Sequence, residues 1–363
     1  MAEFPKVHLP FYAKISLICI GLAALLAILF FGRPVFVPLI GATLVSIMLS
    51  PLVDFLVRKK INKIVAISIT LFLGVLVIAS LIILVSTQIT GFKESLPQMK
   101  QNISVLTDGI KAWLSANFGV SEQKFNDWFD VKKMMNSGTA GIGKTLVGVG
   151  NMLVVAVLLP VYVFLVLYYK VHLVKFIHRL FGLDNDLMVS EVLAAIKTTI
   201  KSYLVGLLLE ALLVGTMYTT GLLIIGIDYA ILLGVLAALL NIIPYVGQIV
   251  AGSLSVFIAL CTKSSPSYAL IVLGLFMLIQ FIDNNFFLPK IVASKVKLNA
   301  LVSIVVVIAG NLLWGVPGMF LAIPLTAICK VVFDEINALK SWGFLLGDPE
   351  PSRALVDKGK KGK

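Results

Sequence analysis

Apolar residues in this chain gather into runs of about twenty, long enough to cross a ~30 Å hydrocarbon layer at 1.5 Å per helical residue. Six runs predict full membrane helices: Tyr12 to Phe31, Val35 to Val57 entered through Pro34 and Pro38, Ile64 to Ile89, Leu146 to Tyr169 with Pro160 as a kink point, Ser202 to Ile225, and Ser267 to Phe287.

Two further apolar stretches are interrupted. Tyr229 to Leu260 is broken by Asn241-Ile242-Ile243-Pro244-Tyr245-Val246-Gly247-Gln248, and Ala300 to Val332 by Asn311-Leu312-Leu313-Trp314-Gly315-Val316-Pro317-Gly318. Each flank of the first is about thirteen residues, roughly 20 Å as a helix, which is too short to cross unaided. A re-entrant helical hairpin fits each stretch better than two spans, and pairs of short tilted spans joined by ordinary turns are the alternative. Both breaks carry an Asn followed by Pro and Gly, which supplies the turn chemistry.

The polar stretch from Gly91 to Lys144 predicts its own helices. Ser95 and Gln98 form a capping-box pattern, and Leu96, Met99, Ile103, Leu106, Ile110 and Trp113 recur in steps of three and four, ending near Asn117 and Gly119. A second, short helix is predicted from Ser121 to Met135. The apolar stripe packs on its neighbour or the membrane surface, or else, coiled-coil-like, on another subunit. Asp184 to Lys201 reads as a separate amphipathic helix capped by Asp184 or Asp186, with Val189, Val192, Leu193, Ile196 and Ile200 on one face. The chain thus divides into 1–90 (three membrane helices), 91–145 (helical insertion), 146–201 (fourth helix and amphipathic helix), 202–335 (a core with two broken-helix hairpins) and 336–363 (a basic tail).

Composition excludes a soluble protein: 59% of the 363 residues are hydrophobic and 13% charged, against about 25% charged in a typical globular domain. A net charge of +12 raises nucleic acid as a partner, but Lys and Arg sit between apolar runs, without the interleaved aromatics of a binding stripe, so none is expected. They set topology instead. Arg58, Lys59, Lys60 and Lys63 follow the second helix, Lys170, Lys175 and Arg179 the fourth, and Lys290, Lys295 and Lys297 the sixth. The positive-inside rule puts these clusters, and both termini, in the cytoplasm of a bacterial inner membrane, with 91–145 outside. Ile15 to Phe31 is too long for a signal-peptide core and lacks an A-x-A site, so it counts as the first membrane helix. The predicted fold is all-α and polytopic: about six full helices plus two re-entrant hairpins entering from opposite sides. Such an inverted repeat exposes helix ends to a solute near the midplane.

Candidate chemistry follows from polar groups at membrane depth. Glu210 lies well inside a predicted span, Asp283 nearer a span's end beside Asn284 and Asn285, and Gln248 and Gln280 add polar atoms. Glu210, Asp283, Asn284 and Asn285 are the candidates for coupling to H+ or Na+. Asn241, Pro244, Gly247, Gln248, Asn311, Gly315, Pro317 and Gly318 are the candidates for binding solute. A carboxylate paired with Lys at an interface is the competing role for the acids. Gly138 to Thr145 fits the spacing G-x-x-x-x-G-K-S/T of a phosphate loop, but no strand precedes it and a membrane helix follows, so it reads as a hinge. His8, His172 and His178 fall in polar or basic flanks, and Cys19, Cys261 and Cys329 in apolar runs without metal or disulfide spacing. Nothing here predicts an enzyme, a metal site or a cofactor.

Leu240-Asn241-Ile242-Ile243-Pro244-Tyr245-Val246-Gly247, Asp283-Asn284-Asn285 through Leu288-Pro289-Lys290, and Trp314-Gly315 through Gly318 and Ala322-Ile323-Pro324 together resemble the AI-2E family, the autoinducer-2 exporter-like proteins. The chain departs from that pattern at Leu207, where Gln is common, and at Ala293 and Lys297, where Gly is common. The resemblance implies a secondary transporter or exporter of a small solute such as the furanone autoinducer-2, with Na+(Li+)/H+ antiport as the alternative. It also implies a homo-oligomer in membrane lipid, with a pentamer as the candidate state. An oligomeric passive channel is the third reading; it would need a continuous polar face along a span, and few polar residues line one.

Overall fold

The computed structural model describes residues 10–118, 158–182, 185–242, 246–263 and 265–348. Among them the structure is helical, with one isolated bridge from Leu298 to Gly347. In chain order the helices are α1 (Phe11–Phe31), α2 (Arg33–Arg58), α3 (Lys63–Phe118), α4 (Leu158–Phe181), α5 (Asp186–Ile225), α6 (Ala230–Asn241), α7 (Val246–Thr262), α8 (Ser267–Ile282), α9 (Ala300–Trp314), α10 (Val316–Glu335) and α11 (Lys340–Leu346). The predicted helix over Ser121–Met135, the glycine-rich Gly138–Thr145, Pro244, His8 and the basic tail beyond residue 348 lie outside the described residues.

Seven of these helices are long and apolar enough to cross a membrane: α1, α2, α3 over Lys63–Gln88, α4, α5, α8 with its continuation to Val296, and α10. The chain is a polytopic membrane protein. α1 shows why: it is apolar around its whole circumference and buries no residue, a pattern stable only where the surroundings are apolar too. The seventh, α10, stands where the sequence predicts one arm of a hairpin. The second break is a single residue, Gly315, at φ 67° and ψ −146°, so α10 keeps 20 residues, enough to span alone. Asn311 then belongs to the last turn of α9 rather than to a loop.

Four other boundaries differ. α4 continues past Tyr169 to Phe181, so Lys170, Lys175 and Arg179 lie on the helix rather than after it. α3 runs unbroken for 56 residues through Gly91, Ser95 and Pro97, so the capping-box pattern starts no helix. The chain between Asp186 and Ile225 is likewise one helix of 40 residues. Nothing between Ile200 and Tyr203 is a helix breaker, and Val189 and Ile200 of the predicted face are buried. Its N-cap is Asn185, without a side-chain cap bond, and Asp186 sits in the first turn. Finally, α8 does not end near Phe287 but passes into a π-helix over Asp283–Ala293 that contains Pro289. A widened helix of this kind is rare and recurs at functional sites.

The chain forms two compact units, Val45–Lys297 and Met1–Leu44 with Leu298–Lys363. In the first, Val214, Tyr218 and Leu222 of α5, Leu233 and Ala237 of α6, Ala251 and Ile258 of α7, and Val272 and Phe276 of α8 share one core, joined by Met99 of α3. Gly226, left-handed at φ 77°, ends α5 and turns the chain back into α6. The two helices then approach closely: a Cβ on Gly234 would lie 2.8 Å from the backbone nitrogen of Thr219. α2 and α4 meet through Lys170, whose Nζ donates to Ser50 Oγ at 2.7 Å and pairs with Asp54 at 3.3 Å.

In the second unit, α9 and α10 form a hairpin whose arms touch at Gly310 and Gly318. Asn299 caps α9 by accepting from the Val302 N–H, and its Nδ2 donates to the carbonyls of Leu345 and Gly347, which fastens α11 alongside. Trp314 Nε1 donates to the Leu29 carbonyl of α1 at 2.9 Å.

Candidate functional site

Three elements far apart in sequence bring polar side chains to one buried point of the larger unit. α5 carries Glu210 on the face it buries, flanked seven residues before by Tyr203 and eight after by Tyr218, all three buried. α6 ends at Asn241, and its last turn is held against α7 by a backbone contact: a Cβ on Gly247 would lie 1.7 Å from the Leu240 carbonyl oxygen. Only glycine permits that approach. The passage from α8 into the π-helix places Asp283, 1% exposed, at the point where the helix widens. Gly206 lets α5 sit directly on the π-helix, since a Cβ there would fall 2.5 Å from the Ile291 carbonyl oxygen.

The side chains meet through one amide. Asn241 Nδ2 donates to Glu210 Oε1 at 3.4 Å and to Asp283 Oδ2 at 3.3 Å, while Gln248 Nε2 of α7 donates to Asn241 Oδ1 at 3.0 Å. Both carboxyl groups therefore face the one Asn241 amide nitrogen. Glu210 Oε2 and Asp283 Oδ1 are buried without a partner. The ion pairs among the described residues are Lys170 with Asp54, His178 with Asp186, Lys263 with Asp228 and Lys330 with Asp334, so no Lys or Arg pairs with this cluster. Two acidic groups on one donor in a low dielectric, with no paired cation among the described residues, would repel one another when both are charged, and a shared proton or small cation would relieve that.

A cavity of about 390 Å³ adjoins the cluster and shares Gln248 with it. Gln248, Ser253 and Gln280 supply its polar groups, and Tyr218 stacks on Phe276 along its wall with ring centroids 4.1 Å apart. Gln280 Nε2 is buried without a partner. Among the described residues no charged side chain lines this cavity, so these residues offer hydrogen bonds and aromatic faces rather than charge. A second cavity of about 430 Å³ lies at the other end of α7, where Gln88, Asn102 and Asp228 are among its lining residues.

The structure therefore brings together Glu210, Asp283, Asn241 and Gln248, with Gly247 buried beside them. Asn284 and Asn285 are exposed instead, and Asn285 Nδ2 donates to the Phe281 carbonyl in its own helix. Asn311, Gly315, Pro317 and Gly318 belong to the other compact unit, where Asn311 and Pro317 are exposed and Gly318 is buried against Gly310. Tyr203, Tyr218 and Ser253 were not singled out by the sequence reading. The two tyrosines carry a legible signal, two-turn spacing on either side of an intramembrane Glu. Ser253 has none, because a lone serine in an apolar helix is common.

Comparison with known proteins agrees with the layout. The model of the AI-2E family transporter matches residues 18–338. The Bacillus subtilis protein named "Putative transport protein YueF" is 28% identical over 327 residues, covering 85% of this chain and 86% of its own length. The AI-2 transport protein TqsA of Escherichia coli is 26% identical over 324 residues, covering 88% of this chain and 91% of its own.

Proposed function

The chain belongs to the AI-2E family of transporters, and from that membership we propose that it is a secondary transporter of a small, neutral, polar solute, coupled to a proton bound at Glu210 and Asp283. The observation that carries this reading is two buried carboxyl groups around one amide, where α6 breaks, beside an uncharged cavity. A single charged carboxyl at bilayer depth costs about 2.5–3.5 kcal/mol on insertion scales. Two on one amide cost more still unless a proton or cation is held between them, which suits a site that exchanges one.

The cavity's amides, hydroxyls and stacked rings suit a hydroxyl-bearing solute. An autoinducer-2-like furanone is of that kind, and the Escherichia coli relative is named for AI-2 transport. In this reading α6 with α7 and α9 with α10 are re-entrant hairpins of an inverted repeat, with the basic clusters and both termini in the cytoplasm of a bacterial inner membrane. The arms of α6, α7 and α9, at 12, 17 and 15 residues, are short for a full crossing. The protein works as a homo-oligomer, whose contacts cover part of the apolar surface that a single chain leaves exposed.

The partnerless oxygens Glu210 Oε2 and Asp283 Oδ1 support a second reading, Na+(Li+)/H+ antiport, because a small cation would take such ligands. Purified protein in liposomes separates the two. Furanone uptake that follows a pH gradient, and loses that dependence in Glu210→Gln and Asp283→Asn, supports the solute transporter. Proton release driven by sodium or lithium without furanone uptake supports the antiporter. Uptake and pH dependence unchanged in both variants would overturn the coupling role.

A further inference from the structure

Gln248 belongs to two environments at once. It lines the cavity, and its Nε2 anchors Asn241 Oδ1, the other end of the amide that donates to both carboxyl groups. Resting on the reading above, we propose that Gln248 and Asn241 form an amide relay through which a hydroxyl-bearing solute in the cavity controls proton uptake by the Glu210 and Asp283 pair. Gln248 and Asn241 act here as positioning residues.

The sign follows from donor counting. Without solute, Asn241 Oδ1 is satisfied by Gln248, and Asn241 Nδ2 is free to donate to both acids, which favours their charged form. Gln248 Nε2 carries two N–H donors, so the solute acts by position: hydroxyls that draw the Gln248 side chain into the cavity take both donors away from Asn241 Oδ1 and leave it buried and unsatisfied. The amide then turns its oxygen toward the acids, and the only donor that satisfies it there is a protonated carboxyl group. Solute binding thus brings a proton in, and by linkage the proton favours solute. Proton and solute travel in the same direction.

Among the described residues, the helices that meet at the pair bring few other titratable groups to it. α6, α7 and α8 carry no Asp, Glu, Lys, Arg or His. α5 presents the buried phenols of Tyr203 and Tyr218. The π-helix adds Lys290, exposed with its Nζ over the Phe286 ring.

Infrared difference spectra of purified, solute-free protein test the relay without any knowledge of the solute, through the C=O stretch of protonated carboxyl groups. Gln248→Asn keeps an amide but is one methylene too short to hold Asn241, and it touches neither acid. The expected result is a stronger protonated-carboxyl band in Gln248→Asn than in the native protein at the same pH, with the same gain in Asn241→Ala and loss of the band in Glu210→Gln. A Gln248→Asn titration that superimposes on the native one, while Glu210→Gln removes the band, overturns the relay and leaves the coupling site standing. A band unaffected by Glu210→Gln and Asp283→Asn overturns the coupling site and the relay with it. In liposomes, furanone should bind more tightly at lower pH in the native protein, with that pH dependence lost in Gln248→Asn. Native protein that carries no furanone counts against the choice of solute alone, and the infrared comparison still decides the relay.

Discussion

Asn241 holds two acids with one amide, so its replacement has a cost that depends on their charge. Asn241→Leu removes the donor from Glu210 Oε1 and Asp283 Oδ2 while keeping similar volume. A buried group left without its partner costs about 1–3 kcal/mol, more when charged. The loss is therefore expected to be larger at pH 8 than at pH 5, where protonated carboxyl groups can satisfy each other. Thermal denaturation in detergent across that range measures it, and an equal loss at both pH values would show that the acids do not need the amide. Lys297 makes the opposite case. It sits at φ 50°, a left-handed conformation that costs an ordinary residue about 1–2 kcal/mol and that glycine adopts freely. Lys297→Gly is expected to raise the melting temperature.

At the scale of elements, close helix contacts rather than long side chains hold the hairpins. A Cβ on Gly318 would lie 2.0 Å from the Gly310 carbonyl oxygen, whereas one on Gly274, also in an apolar helix, would meet nothing within 4 Å. Gly318→Ala is expected to destabilise by about 1–3 kcal/mol through forced separation of α9 and α10. Gly274→Ala should be neutral or slightly stabilising, because alanine is the better helix former. Parallel melting curves of the two variants make the comparison, and equal effects would mean that the Gly310 to Gly318 contact contributes nothing. The π-helix after α8 is the other device at this scale: by widening where Asp283 begins it buries that acid, while Asn284 and Asn285 remain exposed.

For the whole molecule, the arrangement of charge between helices makes a testable map. Lys60 follows α2 among a basic cluster, and Asp228 lies in the turn between α5 and α6. The positive-inside rule puts these two points on opposite faces. With Cys19 and Cys329, both exposed, changed to Ser, and Cys261 left buried, an impermeant thiol reagent should label Asp228→Cys from outside intact cells and Lys60→Cys only after they are opened. Labelling of both from the same side would refute that topology.

The sequence by itself determined the membrane, six of the seven helices able to cross it and the two interrupted stretches, because apolar content and Gly or Pro breaks are local properties that add up along a chain. It also marked Glu210 and Asp283 as unusual, since a carboxyl group in an apolar run stands out wherever the run ends up. Local patterns misled where one helix runs on, in α5 without a breaker and in α3 through Gly91 and Pro97, since capping residues permit a helix start but do not force one. Only the tertiary structure decided that Glu210, Asn241 and Asp283, with separations of 31 and 42 residues from Asn241, share one point, and that Gln248 links them to a cavity. Periodicity fixes which residues share a helix face. Which faces meet depends on glycine contacts, such as Gly206 on the Ile291 carbonyl, and on a π-helical widening, neither of which has a local signature strong enough to read.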